Sequence, residues 1–161
     1  MEILASASAA RVARALAELG ISADIVTFDG ATRTSAAAAA AIGCSVAQIA
    51  KSIVFRARHS NNAVLVVASG SNRVDEKRVA AAIGEPVDKA DAAFVREKTG
   101  FAIGGVAPVG QAGPVTVLID EDLLALDPIW AAAGTPNSVF RLSPADLRRI
   151  PAARVLAVKA G

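Results

Sequence analysis

The stretch KSIVFRARHSNNAVLVVASGS, residues 51–71, limits the fold more than any other part of the chain. Two runs rich in β-branched residues, 53–58 and 63–68, flank HSNN at 59–62, whose residue types suit a tight turn. The pattern predicts a β-hairpin, which is antiparallel. A regular doubly wound parallel sheet is therefore disfavoured.

The rest of the chain alternates irregularly around that hairpin. Val12, Leu16 and Leu19 recur at helical spacing and predict a first helix, capped by Ser6 or Ser8 and ended by Gly20. ISADIVTFD reads as a strand and DGATRTS as a turn-rich link. Thr34 or Ser35 caps an alanine-rich helix stopped by Gly43, and Ser45 caps a second short helix, VAQIA. Helices are expected from Asp75 or Glu76 to Ile83 and from about Asp91 to Thr99, each followed by glycine. FAIGGVAPVGQAGP is a long Gly/Pro segment. Then come a strand (PVTVLID), one or two short helices (DEDLLALDPIWAAAG) and a strand (SVFRLS). A helix with Ser143 at its N-cap and Pro144 at N1, then a last strand (ARVLAV), complete the chain. The expected class is α+β: a mixed, mainly antiparallel sheet, curled or partly closed into a barrel, with surrounding helices. No repeat or linker divides residues 1–161, so one domain is expected.

Composition narrows the function classes. Apolar types make up 53% of the 161 residues and charged types 20%, which supports a core and excludes disorder as the dominant state. One Cys and one His leave no disulfide framework, no Cys-cluster zinc site and no His-rich metal site. Net charge is +2, with no run of five or six like charges, so there is no basic arm for duplex nucleic acid. No targeting or membrane-spanning segment is visible, and a cytoplasmic location is the expectation. Walker A, GxSxG, HExxH and CxxC patterns are absent, and GGVAPVG is not a dinucleotide-binding GxGxxG.

A few residues remain that can carry chemistry. Lys51 lies between an apolar helix end (Ile49, Ala50) and an apolar strand, so it is expected to be partly desolvated and to require an anionic or carbonyl partner. Snorkelling from the strand end explains it equally well. The loop of Gly104, Gly105, Val106, Ala107, Pro108, Val109 and Gly110 can present main-chain N–H groups to a carbonyl or oxyanion, or can be a plain turn. Turn chemistry accounts for Thr135 within GTPN and for His59 at the hairpin tip. Cys44 reads as a small buried residue, and Asp120, Glu121 and Asp122 as partners of a helix start rather than metal ligands.

Taken together, QIAKSIVF, VVASGSNRVDEKRVAAAIG, GFAIGGVAPVG and GTPNSVFRLSPADL resemble the YbaK/ProX family of aminoacyl-tRNA editing domains, over residues 34–158. Free-standing members of that family resemble the insertion domain of bacterial prolyl-tRNA synthetase and hydrolyse mischarged aminoacyl-tRNA in trans. The resemblance implies a catalytic role for Lys51. It places substrate contacts at Thr34, Ser52, Gly104, Gly105, Val106, Ala107, Pro108 and Thr135, with no metal and no cofactor. Some relatives carry His where this chain has Gln111. The implied substrate is tRNA bearing a mischarged small amino acid: Ala, Ser, Thr, Cys or 2-aminobutyrate. KSIVF and FRLSPADL look more like subgroups acting on Ala, Ser, Thr or 2-aminobutyrate than like the cysteine-specific members. The implied partners are the acceptor end of that tRNA and an aminoacyl-tRNA synthetase, with no membrane and no sequence-specific DNA.

The chemistry is consistent with a chain that has no evident triad. An aminoacyl ester is already activated, so positioning a water and stabilising an oxyanion suffice. The alternative from another class is a non-catalytic module that binds a nucleotide, an aminoacyl group or a synthetase. A metal hydrolase is disfavoured by the shortage of ligands.

Overall fold

The structure is a computed structural model that describes residues 2–30 and 34–161, with residues 2–6 described through their backbone alone. The centre of the DGATRTS link, residues 31–33, lies outside the described residues. In chain order the elements are α1 (Glu2–Glu18), β1 (Ile25–Thr27), α2 (Ser35–Ile42), β2 (Ile49–Ala57), β3 (Ala63–Ser69), α3 (Glu76–Ile83), β4 (Val87–Lys89), α4 (Ala92–Thr99), β5 (Thr116–Asp120), β6 (Ile129–Ala132), β7 (Ser138–Leu142), α5 (Pro144–Leu147) and β8 (Arg154–Leu156).

The expected hairpin is the centre of the sheet. β2 and β3 pair antiparallel from Ala50↔Ser69 to Arg56↔Ala63. Strand order is β1-β7-β6-β2-β3-β5-β8, with β4 alongside the far end of β2. The β2–β6, β3–β5 and β5–β8 pairings are parallel and the other four antiparallel, so the sheet is mixed and the α+β class holds.

Every residue of β3 is buried, which its continuous apolar run AVLVVAS requires of a strand covered on both faces. Val64, Val66 and Ala68 point to one face and pack with Phe55, Leu118 and Val79 of α3. Leu65 and Val67 point to the other, where Val12 and Leu16 of α1 join Phe101, Ile119 and Phe140. Each fully buried Leu or Phe contributes about 1.5–3 kcal/mol relative to exposure.

Local signals placed most helix ends correctly. Thr34 caps α2 by accepting from the Ala37 N–H, Asp75 caps α3 and Asp91 caps α4. Gly43, Gly84 and Gly100 end those helices in the left-handed region. Ser143 and Asp146 form a capping box at α5.

Four expectations are corrected. α1 begins at Glu2, upstream of Ser6 and Ser8, so neither serine is its cap. VAQIA is a single 3-10 turn over Val46–Gln48, and Ile49 and Ala50 already belong to β2. Lys51 therefore sits inside a strand, paired with Ala68, rather than at a helix-to-strand junction. The segment around Trp130, expected to be helical, is a 3-10 turn (Glu121–Ala125) followed by β6. Its alanines have helical propensity, but pairing with both β2 and β7 outweighs it. β4 is only three residues long and carries no local signature.

Candidate active site

Lys51 and Ser52 are consecutive on β2, so their side chains leave opposite faces of the strand. Both line a cavity of about 130 Å³. Its wall also includes Thr34 and Ala38 of the α2 region, Gly104 and Val106 of the glycine loop, Trp130 and Ala131 of β6, and Thr135. Pairing of β6 with the start of β2 brings the Trp130 and Thr135 segments beside Lys51.

The Lys51 ammonium donates to the main-chain carbonyl of Asn72 at 2.5 Å. The Asn72 side chain, itself buried, donates to Asp120 Oδ2 and to Asp122 Oδ2, both at 2.8 Å. Asp120 is fully buried at the end of β5. It also accepts from the Ser69 N–H at 3.0 Å and the Asp122 N–H at 3.0 Å. A buried carboxylate held by three N–H donors is a fixed negative charge at a defined place. Burial pushes the Lys51 ammonium below the usual lysine range, and the charge of Asp120 opposes that shift. Lysine thus has both the carbonyl partner and the nearby anion that its sequence surroundings demand.

The Ser52 hydroxyl stands apart from this network. Among the described residues it is the one buried side-chain polar atom without a hydrogen-bond partner. An unpaired buried hydroxyl costs about 1–3 kcal/mol, and this one belongs to the cavity wall.

The glycine loop is anchored from two sides. Arg11 of α1 donates through Nε to the Gly110 carbonyl at 2.8 Å and through Nη2 to the Gly100 carbonyl at 3.0 Å. Its guanidinium lies 4.5 Å from the Phe101 ring centre. At the other side Gly105 touches the main chain of Thr135. The Thr135 hydroxyl shares hydrogen bonds with Asn137 Oδ1 at 2.9 Å and the Ser138 hydroxyl at 2.5 Å.

Of the residues expected at the site, Lys51, Thr34, Ser52, Gly104, Val106 and Thr135 line the cavity. Gly105, Ala107 and Pro108 are not on its wall; they are the buried part of the loop, with Ala107 fully enclosed in the core. The Gln111 amide donates to the Ala107 carbonyl at 3.0 Å, which ties it to the loop's own backbone. His59 is in the hairpin turn, where its N–H donates to Glu85 at 2.7 Å. Burial raises the Cys44 thiol pKa, the wrong direction for a nucleophile. No group of three or more His, Cys, Asp or Glu among the described residues can hold a metal ion. Asp120 does start the 3-10 turn as expected, but its link to Lys51 through Asn72 was not anticipated. Nor were Arg11 and Asn72, whose partners lie 99 and 48 positions away.

Residues 29–150 match the aminoacyl-tRNA editing domain family, and the chain belongs to that family. YwhH, an uncharacterised protein of Bacillus subtilis (strain 168), is 33% identical over 132 residues, covering 82% of this chain and 83% of YwhH. A crystal structure of a candidate trans-editing enzyme for prolyl tRNA synthetase is 42% identical, with a TM-score of 0.88 over 96% of this chain and 98% of that one. The crystal structure of hypothetical protein APE2540 is 28% identical, with a TM-score of 0.86 over 93% and 99% of the two chains. The reaction class is that of an editing domain: hydrolysis of the ester of aminoacyl-tRNA. No helix among the described residues is long and apolar enough to cross a membrane.

Proposed function

We propose that residues 1–161 act as one editing domain that hydrolyses, in trans, tRNA mischarged with a small amino acid, of the size of Ala, Ser, Thr, Cys or 2-aminobutyrate. The observation that carries this reading is the cavity of about 130 Å³ lined by Lys51, Ser52 and, from the glycine loop, Gly104 and Val106. Cavities of about 150 Å³ hold a guest the size of benzene, about six heavy atoms, so the whole aminoacyl group of a small amino acid fills this one and a bulky side chain added to that group exceeds it.

In this reading the side chain enters between Val106, Ala131 and Trp130. The Lys51 ammonium reaches the ester carbonyl or the neighbouring ribose and phosphate, and Ser52 supplies a hydrogen bond to the substrate or to the attacking water. Water adds to the ester carbonyl, the oxyanion collapses, and the ribose oxygen leaves with a proton, giving free amino acid and tRNA. Charge developing on the carbonyl oxygen is stabilised by the fixed ammonium and by loop N–H groups. Selectivity rests on volume, and one methylene is worth about 1–3 kcal/mol. A tRNA substrate implies capture of the acceptor end, alone or alongside a synthetase.

A deacylation panel tests the reading. Purified protein would be given tRNA charged with Ala, Ser, Thr, Cys, 2-aminobutyrate and Pro, with Lys51→Ala alongside. Hydrolysis of one or two small amino acids, lost in the variant, is expected. Folded wild-type protein that turns over none of them would replace the enzyme with a binding module.

A further inference from the structure

A second, larger cavity of about 1020 Å³ adjoins the small one, and Lys51 lines both. Part of the larger wall is the loop after β3, residues 70–75, and part is Ala160, which lies beyond β8. Lys51 pairs with Ala68, and residues paired across two antiparallel strands share a face. Ala68 packs in one cluster with Phe55, Val66, Val79, Leu118 and Val158. The Lys51 side chain therefore leaves β2 on the sheet face to which Val158 belongs.

The acceptor of the Lys51 ammonium is the Asn72 carbonyl, a main-chain group whose direction is that of the loop carrying it. Three sets of hydrogen bonds fix that loop. At its start the Gly70 N–H donates to the Ile49 carbonyl at 2.7 Å and the Asn72 N–H to the Ser69 carbonyl at 2.9 Å. At its centre the Asn72 amide reaches Asp120 and Asp122. At its end the partners are remote in sequence. The Asp75 N–H donates to the Val158 carbonyl and the Ala160 N–H to the Arg73 carbonyl, both at 2.8 Å. These two bonds flank an antiparallel bridge between Val74 and Lys159, which lies outside the eight-stranded sheet. Val158 is fully buried, Val74 packs against the same cluster, and Lys159 is exposed. The clasp is thus anchored in the core, and what it grips is the residue after Asn72.

Building on the deacylase reading above, in which Lys51 meets the substrate, we propose that Val158 and Ala160 are positioning residues for Lys51: their clasp on Arg73 and Asp75 aims the Asn72 carbonyl at the ammonium and holds it where the two cavities meet. An ammonium has three N–H donors. With one committed to Asn72, the other two point in set directions. A lysine whose acceptor drifts recovers the rotamers of its long stem, and its donors are spread over many positions instead of one.

Ala160→Pro removes the N–H that Arg73 receives and leaves the Val158 side chain in place, whereas Ala160→Ser retains that N–H. NMR relaxation of the lysine Nζ nitrogens reads the order of the ammonium, with exposed Lys77 and Lys89 as mobile references. Hydrogen exchange at the Asp75 N–H reads the clasp. In wild type, Lys51 Nζ is expected to be ordered and the Asp75 N–H protected. In Ala160→Pro the Asp75 N–H should exchange about tenfold faster or more, and Lys51 should become as mobile as Lys77. Its kcat should fall about tenfold with KM within about twofold of wild type. The serine variant should retain wild-type values of all these. Val158→Ala loosens the same clasp from its buried side and should act in the same direction as proline. A Lys51 Nζ that stays ordered while Asp75 exchange rises overturns the proposal, even where wild-type protein turns over a mischarged tRNA. Because order is read without substrate, loss of it in the variants together with no wild-type turnover retains the positioning role and removes the deacylase.

Discussion

Gly105 rests against the main chain of Thr135: a methyl group on it would lie 2.8 Å from both the α-carbon and the carbonyl carbon of Thr135. This contact sets the glycine loop against the segment between β6 and β7, and so brings together Gly104 and Thr135, which both line the small cavity. Neither partner is a flexible side-chain end, so neither gives way cheaply.

Gly105→Ala is therefore expected to push the loop away from Thr135. Overpacking of this kind costs about 1–3 kcal/mol of stability. Misplacing the loop by about 1 Å would lower kcat/KM by about 100-fold. Deacylation kinetics together with urea denaturation would check both. Wild-type kcat/KM in a destabilised variant would detach the loop position from function.

Lys51→Met is expected to abolish hydrolysis and to leave folding intact. Burial disfavours the ammonium more than Asp120 favours it, so its folded-state pKa lies below the unfolded one. Between those two values the unfolded chain binds more protons, and the wild-type protein gains stability as pH rises. Lys51's contribution is lost as pH falls through its folded pKa, and at neutral pH the charged side chain is a net cost. The methionine variant should denature at neutral pH no earlier than wild type, and any advantage should vanish above the ordinary lysine range. A large drop in its neutral-pH urea midpoint would contradict this sign.

Asp120→Asn tests the support beneath Lys51. The carboxylate accepts from Ser69, Asn72 and Asp122, and an amide would turn an N–H toward one of those donors. One buried mismatch costs about 1–3 kcal/mol. Displacing Asn72 also moves the carbonyl that receives the Lys51 ammonium. A fall in kcat of about tenfold is expected, read in single-turnover deacylation.

Arg11→Met retains the aliphatic stem against Phe101 and removes both carbonyl contacts of the guanidinium. Stability should fall by about 1–3 kcal/mol, since each bond involves a charged donor. Hydrogen exchange should increase at residues 101–110 before it increases in β3. Unchanged exchange in that loop would show that α1 does not hold it.

Much of the molecule was legible in the one-dimensional pattern. The β2–β3 hairpin, the caps Thr34, Asp75, Asp91 and Ser143, and the glycines that end α2, α3 and α4 all follow from residue types a few positions apart. Lys51 stood out because a charge inside an apolar run has to find a partner. Local chemistry determines such features, since the interacting groups are neighbours in the chain.

Tertiary structure decided the rest. Trp130 is in a strand because β2 and β7 present pairing edges to it, although its own alanine-rich surroundings suit a helix. β4 exists only because the end of β2 offers it an edge. Asn72 and Asp120 meet beneath Lys51, and Arg11 meets Gly100 and Gly110, across separations of 48 to 99 residues. A sequence pattern states that a buried lysine or a glycine loop requires support. Which residue provides it depends on which strands become neighbours, and that is fixed only when the sheet closes over a shared core.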